Sequence, residues 1–355
     1  MTETPTFPVF FLITAIKIAV VLVITLTAVA YTVLLERKVL GRMQNRWGPS
    51  RVGPFGLLQP LADGIKLFLK EDMMPLAVER PLFVLAPVIA LGCALVSIAV
   101  VPFGAVTKYK GVDVTQVADL NIGLLVVLGI TSIGVYGIAL SGWSSNNKYS
   151  LFGSLRATAQ VISYELALGL SLVGVVMRAQ SLNLRAIVNS QGHMGMLSWN
   201  IFGGLQFVAF FIYLMAAYAE TNRSPFDLPE AESELVAGYH TEYSSMKFAM
   251  FFMAEYANMI TVACVATLMF FGGSLSPFGH LFDGFGNGLY VHAAFSIFWF
   301  VFKIFAFILL YIWVRATLPR FRYDQLMGFG WKFLLPIAMI NILATALVLA
   351  FHPHG

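Results

Sequence analysis

Long apolar runs alternate with short polar segments along the chain, and this pattern predicts membrane-spanning helices. About 20 consecutive apolar residues are needed to cross the hydrocarbon layer of a bilayer as a helix. The pattern therefore predicts an all-α polytopic membrane protein with about eight transmembrane helices, in a single membrane domain of residues 1–355. The predicted spans are 9–35, 82–102, 121–141, 155–177, 201–219, 247–271, 290–316 and 331–351.

Small residues recur at helical spacing within the second predicted span. Ala86, Ala90 and Ala94 are four residues apart, so they lie on one face of the helix. Such faces let membrane helices approach closely, because association in lipid relies on packing contacts. We therefore expect a neighbouring helix against this face.

The first polar segment contains an amphipathic pattern between residues 57 and 70. Apolar residues recur there at spacings of three and four, and polar residues recur in the same way on another face. The apolar set is Leu58, Leu61, Ile65 and Phe68, and the polar set is Gln59, Asp63, Lys66 and Lys70. This pattern predicts a helix lying in the membrane interface. It is either a surface anchor or the wall of a slot that admits an amphiphile with a long tail.

Basic residues are distributed unevenly between alternate polar segments. With the N-terminus outside, the inner segments hold 16 Lys and Arg, the outer segments hold 4, and 2 lie within spans. Because cytoplasmic loops carry an excess of Lys and Arg, we expect both termini outside. The predicted cytoplasmic loops are 36–81, 142–154, 220–246 and 317–330.

Composition agrees with a membrane protein and excludes other classes. Of the 355 residues, 59% are hydrophobic and 11% are charged, whereas about 25% charged residues are usual in a soluble domain. The net charge of +4 is modest and follows membrane sidedness, which argues against a nucleic-acid binder. The two cysteines, Cys93 and Cys264, lie in apolar runs, so we expect no iron–sulfur cluster or metal in this chain.

The segment between the fifth and sixth spans is unusually acidic for a cytoplasmic loop. Within 23 residues it carries six carboxylates against one basic residue, Arg223. The carboxylates are Glu220, Asp227, Glu230, Glu232, Glu234 and Glu242. Either this is a solvated loop that docks a basic partner, or mutual repulsion raises some of the pKa values towards neutrality, as a proton path requires.

Ionisable residues lie deep inside several predicted spans. Glu165 and Glu255 lie roughly 15 and 12 Å from the cytoplasmic ends of their helices, at about 1.5 Å per residue. Lys303 falls at the centre of the seventh span. Because a charge in hydrocarbon is costly, such residues face the bundle interior and are functional by default. One alternative is that Lys303 forms a structural ion pair with either carboxylate. Tyr164, beside Glu165, is a candidate for extending a hydrogen-bonded route.

The last cytoplasmic segment is rich in arginine. Arg315, Arg320 and Arg322 surround a proline and precede Asp324. These arginines are explained either by the excess of positive charge on the inner side of the membrane or by docking of a peripheral subunit.

Three long stretches of the chain are distinctive: ERKVLGRMQNRWGPSRVGPFGLLQPLADGIKLFLKED (Glu36–Asp72), AETNRSPFDLPEAESELVAGYHTEYSSMKFAMFFMAEYANM (Ala219–Met259) and WVRATLPRFRYDQLM (Trp313–Met327). They resemble the signatures of one family, the H-type membrane subunit of NADH–quinone oxidoreductase (respiratory complex I), whose mitochondrial counterpart is NADH dehydrogenase subunit 1. The resemblance extends from the first span to the last.

This resemblance implies a membrane subunit that forms a quinone-access chamber and couples quinone reduction to proton translocation. It implies no catalytic residue, flavin, haem, iron–sulfur cluster or metal in this chain, with quinone as substrate. Its implied partners are the peripheral-arm subunits at the quinone site, neighbouring small membrane subunits and lipid. The implied location is a bacterial inner membrane, with periplasmic termini.

Residue by residue, the resemblance assigns two groups. The quinone-chamber positions are Glu36, Arg37, Arg46, Asp63, Arg223, Phe226 and Asp227. The proton-path positions are Glu165, Glu220, Glu230, Glu232, Glu234 and Glu255, with Tyr164 and Lys303 as candidate additions from the span analysis.

Two alternative functions stay open at the level of sequence. One is the homologous membrane subunit of an energy-converting hydrogenase or ferredoxin-driven complex, and the intact first-loop signature argues for quinone instead. The other is a stand-alone cation antiporter. The large inner loops argue against it, because a partner is needed to cover their charges.

Overall fold

The computed structural model describes residues 7–109, 112–192, 195–227, 238–279 and 289–351. In chain order its helices are α1 (Phe7–Met43), α2 (Gln59–Leu69), α3 (Arg80–Ile98), α4 (Gly123–Ser144), α5 (Lys148–Ala179), α6 (Leu184–Asn189), α7 (Leu205–Glu220), α8 (Ser245–Phe270), α9 (Leu289–Thr317), α10 (Tyr323–Phe329) and α11 (Leu335–Phe351). A π-helical turn, Gly330–Leu334, joins α10 to α11. Within this described part, the strands are a two-residue antiparallel pair, Lys108–Tyr109 and Val112–Asp113.

Seven helical segments in the described residues are long and apolar enough to cross a membrane. They are α1, α3, α4, α5, α8, α9 and the continuous α10–α11. α7 is apolar but has only 16 residues. The predicted all-α polytopic membrane fold is thus confirmed, and α2 supplies the predicted amphipathic helix.

Several helices extend beyond the apolar runs that predicted them. α1 continues to Met43, so Glu36 and Arg37 lie on a helix rather than in a loop. α5 begins at Lys148, seven residues before the predicted span. Polar residues such as Glu, Arg and Lys are good helix formers, so a helix need not end where its hydrophobic stretch ends.

α8 is the central helix of the bundle. Its residues from Met259 to Phe270 are all buried, and it packs against α1, α3, α7 and α9. α3, α4 and α5 pack in sequence beside it. At the α3–α4 contact, Ala86 and Ala90 are buried, and a Cβ atom on Gly137 would lie 2.9 Å from the Ala86 carbonyl oxygen. The predicted small-residue face therefore packs against a glycine of the neighbouring helix.

Lys303 is buried at the C-terminal end of α8 rather than beside the membrane carboxylates. Its ammonium donates to the carbonyl oxygens of Phe271, Gly273 and Leu275 at 2.7–2.8 Å, and it lies 4.2 Å from the centre of the Trp199 ring. Carbonyls just beyond a helix end lack helical partners, so a buried ammonium can satisfy them. The alternative of a Lys303 ion pair with Glu165 or Glu255 is therefore wrong.

The orientation of the bundle in the membrane is a testable prediction. In a variant without Cys93 and Cys264, we expect Lys108→Cys to react with a membrane-impermeant thiol reagent from outside intact cells. Lys148→Cys should react only in inverted vesicles, because the charge distribution places the loop before α5 in the cytoplasm. Both side chains are exposed in the structure. The opposite accessibility would reverse the predicted topology.

Candidate functional site

A slot lies between α1, α2 and the first turns of α8. Its volume is about 440 Å³. Its walls are mostly apolar, with Val29 and Leu34 from α1, Phe68 from α2, and Phe252 and Met253 from α8 among the lining residues. α2 has no buried residue, so it lies on the surface of the bundle and forms one wall of the slot. Of the two interpretations of the amphipathic helix, this arrangement favours the slot wall.

Charged residues form one side of the slot. Arg37 Nη1 lies 2.7 Å from Asp63 Oδ2, and the Gln59 amide donates to Asp63 Oδ1 at 2.9 Å. Lys66 Nζ is 3.8 Å from the same carboxylate. α2 therefore presents a polar edge that is tied to α1, beside an apolar cavity.

Glu36, the residue before Arg37, enters a buried cluster of charges on the other side of α1. Its carboxylate accepts hydrogen bonds from Arg315 and, at 2.9 Å, from the Tyr256 hydroxyl. Arg223 Nη1 is 3.7 Å away. Consecutive residues on a helix point about 100° apart, so Arg37 contacts the slot while Glu36 contacts the bundle interior.

Arg223 joins Glu36 to the carboxylate of Glu255. Its guanidinium lies 3.9 Å from Glu255 Oε2 and 4.1 Å from the centre of the Tyr256 ring. The Tyr239 hydroxyl donates to Glu255 Oε1 at 3.0 Å. Two carboxylates, two guanidinium groups and two tyrosines thus form one network that is buried except for the half-buried Arg315, which is the arrangement that makes buried charge tolerable.

A second, smaller cavity of about 40 Å³ lies beside this network. Glu220, Glu255, Asn258 and Tyr239 are among its lining residues. Glu220 Oε2 and Asn258 Oδ1 are buried, and the structure describes no hydrogen-bond donor for either atom. The cavity is large enough for ordered water by the usual volume criterion.

Glu165 lies close to Glu220 but has a different partner. The Ser132 hydroxyl, on α4, donates to its carboxylate. Glu165 is near enough to Glu220 for the two charges to repel each other. Within the described part of the chain, no cation lies within ion-pair distance of either group. Two neighbouring carboxylates without a cation cannot both ionise cheaply.

Tyr164 and the last polar segment are placed differently from expectation. The Tyr164 hydroxyl donates to the Leu326 carbonyl at 2.8 Å, so it anchors α10 rather than extending the route from Glu165.

Arg320 Nη2 lies 3.0 Å from Asp227, and Phe226 stacks on Phe321. Arg315 therefore binds α1, and Arg320 binds the acidic loop, the segment of residues 220–246 between α7 and α8. Neither explanation of the arginines from the sequence included such contacts within the chain.

Four further predicted positions lie outside the slot and the charge network, or outside the described residues. Arg46 donates to Gln44 in the exposed turn after α1 and lines a shallow hollow that includes Gln59. Glu230, Glu232 and Glu234 lie outside the described residues. Sequence reasoning missed Ser132 and Tyr239, because a serine in a helix and a tyrosine in a loop carry no pattern that points to a carboxylate.

Comparison with known proteins identifies the family. A sequence model described as NADH dehydrogenase matches residues 16–346. The chain belongs to the NADH dehydrogenase family. It is 62% identical to the NADH-quinone oxidoreductase subunit designated H 2 of Koribacter versatilis, over 96% of this chain and 98% of that protein. It is 51% identical to the H-type subunit of Thermomicrobium roseum, over 93% and 94% of the two chains, and 49% identical to that of Leptospira biflexa, over 96% of each.

The resemblance to the H-type subunit of NADH–quinone oxidoreductase is thereby confirmed, and so is the enzyme class. The chain is a membrane subunit of this oxidoreductase complex. In the described residues, no group of three or more His, Cys, Asp or Glu could hold a metal ion.

His240 gives the protein a predicted pH dependence. It is packed among Tyr239, Phe248 and Phe251, and burial lowers the pKa of His240 to about 3. The unfolded chain takes up a proton below a pKa of about 6.5, whereas the folded chain does so only near 3, so stability is lost as the pH falls through this window. We expect protonation of His240 in the unfolded chain to lower the free energy of unfolding by about 2 kcal/mol as the pH falls from 6.5 to 5.

Thermal denaturation of the detergent-solubilised protein at several pH values tests this expectation. His240→Phe should show a smaller fall in melting temperature towards pH 5 than the wild type. His292→Phe, at an exposed position, should keep the wild-type fall. An equal fall in the wild type and His240→Phe would contradict the assignment.

Proposed function

We propose that this chain forms the membrane side of a quinone chamber and couples quinone reduction to proton translocation. One observation supports this proposal above all: two consecutive residues of α1 contact the slot and the buried charge network, respectively. Arg37 binds Asp63 at the slot, and Glu36 accepts hydrogen bonds from Tyr256 and Arg315 in the buried charge network. A change in charge at the slot would therefore occur beside Arg37, whose neighbour Glu36 is the first carboxylate of the proposed path.

The slot suits an amphiphile with a polar head and an apolar tail. Its volume of about 440 Å³ falls within the range of about 300–1,000 Å³ that is usual for small-molecule sites. Its apolar walls would accept the tail of a quinone, and Arg37, Gln59 and Asp63 offer polar contacts to the head. Arg46, in the hollow next to Gln59, would act at the mouth. This slot favours a quinone-binding complex over a ferredoxin-driven relative that need not bind quinone.

Reduction of a quinone to a quinol consumes two electrons and two protons, and other subunits would supply the electrons. We propose that the change in charge near Arg37 and Asp63 shifts the balance of ion pairs among Glu36, Arg223 and Arg315. Phe226 and Asp227 would support this arrangement from the acidic loop, since Asp227 binds Arg320 and Phe226 stacks on Phe321.

The proton path would run from Glu36 through Arg223 to Glu255, and then across the small cavity to Glu220 and Glu165. Tyr239 and Ser132 would supply hydroxyl groups along it. The absence of a described cation beside Glu165 and Glu220 supports a shared proton on this pair, because two adjacent carboxylates are costly to ionise together. Glu230, Glu232 and Glu234 would form its cytoplasmic entrance. Tyr164 and Lys303 have no described contact with this series, so their role would be structural.

The chain would lie in a bacterial inner membrane with both termini periplasmic, as the distribution of Lys and Arg indicates. Peripheral-arm subunits would close the slot from the cytoplasm, and small membrane subunits would continue the proton path.

Removing the charge of Asp63 tests the chamber. We expect Asp63→Asn to lower quinone reductase activity by about tenfold, because a charge-assisted hydrogen bond contributes about 1.5–3 kcal/mol. NADH oxidation by a hydrophilic artificial acceptor should stay unchanged, since electron input lies elsewhere. Arg46→Gln should act in the same direction. Both activities are measured on the purified complex.

Asp119→Asn is a matched control for this experiment. Asp119 accepts a hydrogen bond from Asn183 at 2.8 Å on the predicted outer side, far from the slot in the chain topology. This variant should retain both activities. If Asp63→Asn lowered both activities equally in an assembled complex, the chamber assignment would be wrong.

Neutralising the membrane carboxylates tests the proton path. We expect Glu165→Gln or Glu255→Gln to lower quinone reduction and proton pumping together, by tenfold or more, because blocking the proton step stalls the coupled redox step. The change from Glu to Gln keeps the shape and removes the titration. Turnover and pumping are measured per assembled complex in reconstituted vesicles.

Glu242→Gln, in the segment between α7 and α8, is the control for these two variants. Glu242 accepts a hydrogen bond from Asn147 at 2.6 Å and has no described contact with the path. Its turnover should match that of the wild type. Unchanged turnover and pumping in Glu165→Gln and Glu255→Gln would eliminate the path through these residues.

A further inference from the structure

The first residues of α8 hold the C-terminal end of α2. The Ser245 hydroxyl lies 2.9 Å from the carbonyl oxygens of both Leu67 and Lys70. The Ser244 hydroxyl accepts a hydrogen bond from the Met73 backbone N–H at 3.0 Å. We call these contacts the serine clasp.

α2 depends on contacts with its neighbours, and beside the clasp an ion pair at 2.7 Å joins Lys247 of α8 to Asp72, just beyond the end of α2. α2 has 11 residues and none of them is buried, and isolated helices shorter than about 12–15 residues are marginal. The last carbonyls of a helix have no partner within it. Ser245 supplies a donor to these carbonyls from a different helix. Near the middle of α2, the Arg37–Asp63 pair supplies the tie to α1.

The backbone of Ser245 adopts a strained conformation. Its φ angle is +53°, in the left-handed region that glycine adopts freely and other residues adopt at a cost. Strained positions of this kind persist when the surrounding structure determines them, and they concentrate at functional sites. A glycine would relieve the strain but would remove the hydroxyl that contacts α2.

The serine clasp lies where the slot and the charge network share one helix. Met246, Ala249 and Met253 of α8 line the slot, and Glu255 follows on the same helix. The clasp therefore sets the distance between α2, one wall of the slot, and α8, the opposite wall.

We propose that Ser245 is a positioning residue that sets the width of the slot and thereby its affinity for long-tailed quinones. This inference rests on the proposed quinone function. Ser245 does not contact the substrate, and it acts by holding α2 against α8. Without the clasp, α2 remains attached to α1 through Asp63, but the tail-binding wall is displaced.

A pair of substitutions separates the hydroxyl from the backbone strain. Ser245→Ala removes the hydroxyl and keeps the strain, whereas Ser245→Gly removes both. We expect both variants to raise the KM for a long-tailed quinone by about fivefold, the effect of about one hydrogen bond. The KM for a short-tailed quinone should change less, and kcat should stay near that of the wild type. All values are measured on the purified, assembled complex.

Three outcomes would overturn the proposal. If Ser245→Gly behaved like the wild type while Ser245→Ala was impaired, the hydroxyl would serve to hold the strained backbone of Ser245 and not to hold α2. If both variants lost kcat with an unchanged KM, the clasp would not control the slot. If both variants matched the wild type, the hydroxyl would have no role.

Two controls complete the experiment. Ser171→Ala removes a buried hydroxyl whose one hydrogen bond among the described residues goes to the Leu168 carbonyl of its own helix, and it should leave KM unchanged. Asp63→Asn distinguishes a failure of the clasp from a failure of the quinone slot. An effect of Asp63→Asn without an effect at Ser245 would leave the quinone slot in place and refute the clasp, whereas no effect of either would refute the slot itself.

Discussion

Arg223 carries a positive charge into the interior of the bundle, and the surrounding helices are arranged so that this charge is balanced. Its side chain is only 7% exposed. Breaking a buried ion pair costs about 3–5 kcal/mol, because it leaves one charge without compensation. Glu36 and Glu255 provide that compensation from α1 and α8, and Tyr256 provides an aromatic face. The relative placement of these helices and of the acidic loop thus depends on a single guanidinium group.

The same constraint explains why the arginine-rich segment packs inward. Arg315 binds Glu36, and Arg320 binds Asp227, so the polar ends of α1, α7 and α9 are joined by charge rather than by apolar contacts. Deeper in the bundle, Glu165 and Glu220 have no such cations among the described residues. A network that is neutral at one end and has an excess of carboxylate at the other is the charge distribution on which the proposed proton path rests.

The slot lies in the part of the fold where the helices bury the fewest residues. α2 is exposed along its length, and α1 lies at the edge of the bundle, whereas α8 is fully buried from Met259 to Phe270. Regions with few buried contacts open at low cost in free energy, and binding elements are drawn from them. The rigid helix α8 forms the other wall of the slot and continues to Glu255. Motion at α2 can therefore be sensed by a helix that does not itself unfold.

The sequence by itself determined the fold class, the amphipathic α2, the small-residue face of α3 and the family resemblance. These features depend on local periodicity, length and composition, which are readable along one segment. Only the tertiary structure decided that Glu36 and Arg37 contact different sites, that Tyr164 anchors α10, and that Lys303 binds three carbonyls instead of a carboxylate. It also revealed Ser132, Tyr239 and Ser245, whose partners lie between 16 and 178 residues away. The partner of a polar side chain depends on which helices pack together, and hydrophobic patterns leave that choice open, because in lipid every apolar face is equally compatible with its surroundings.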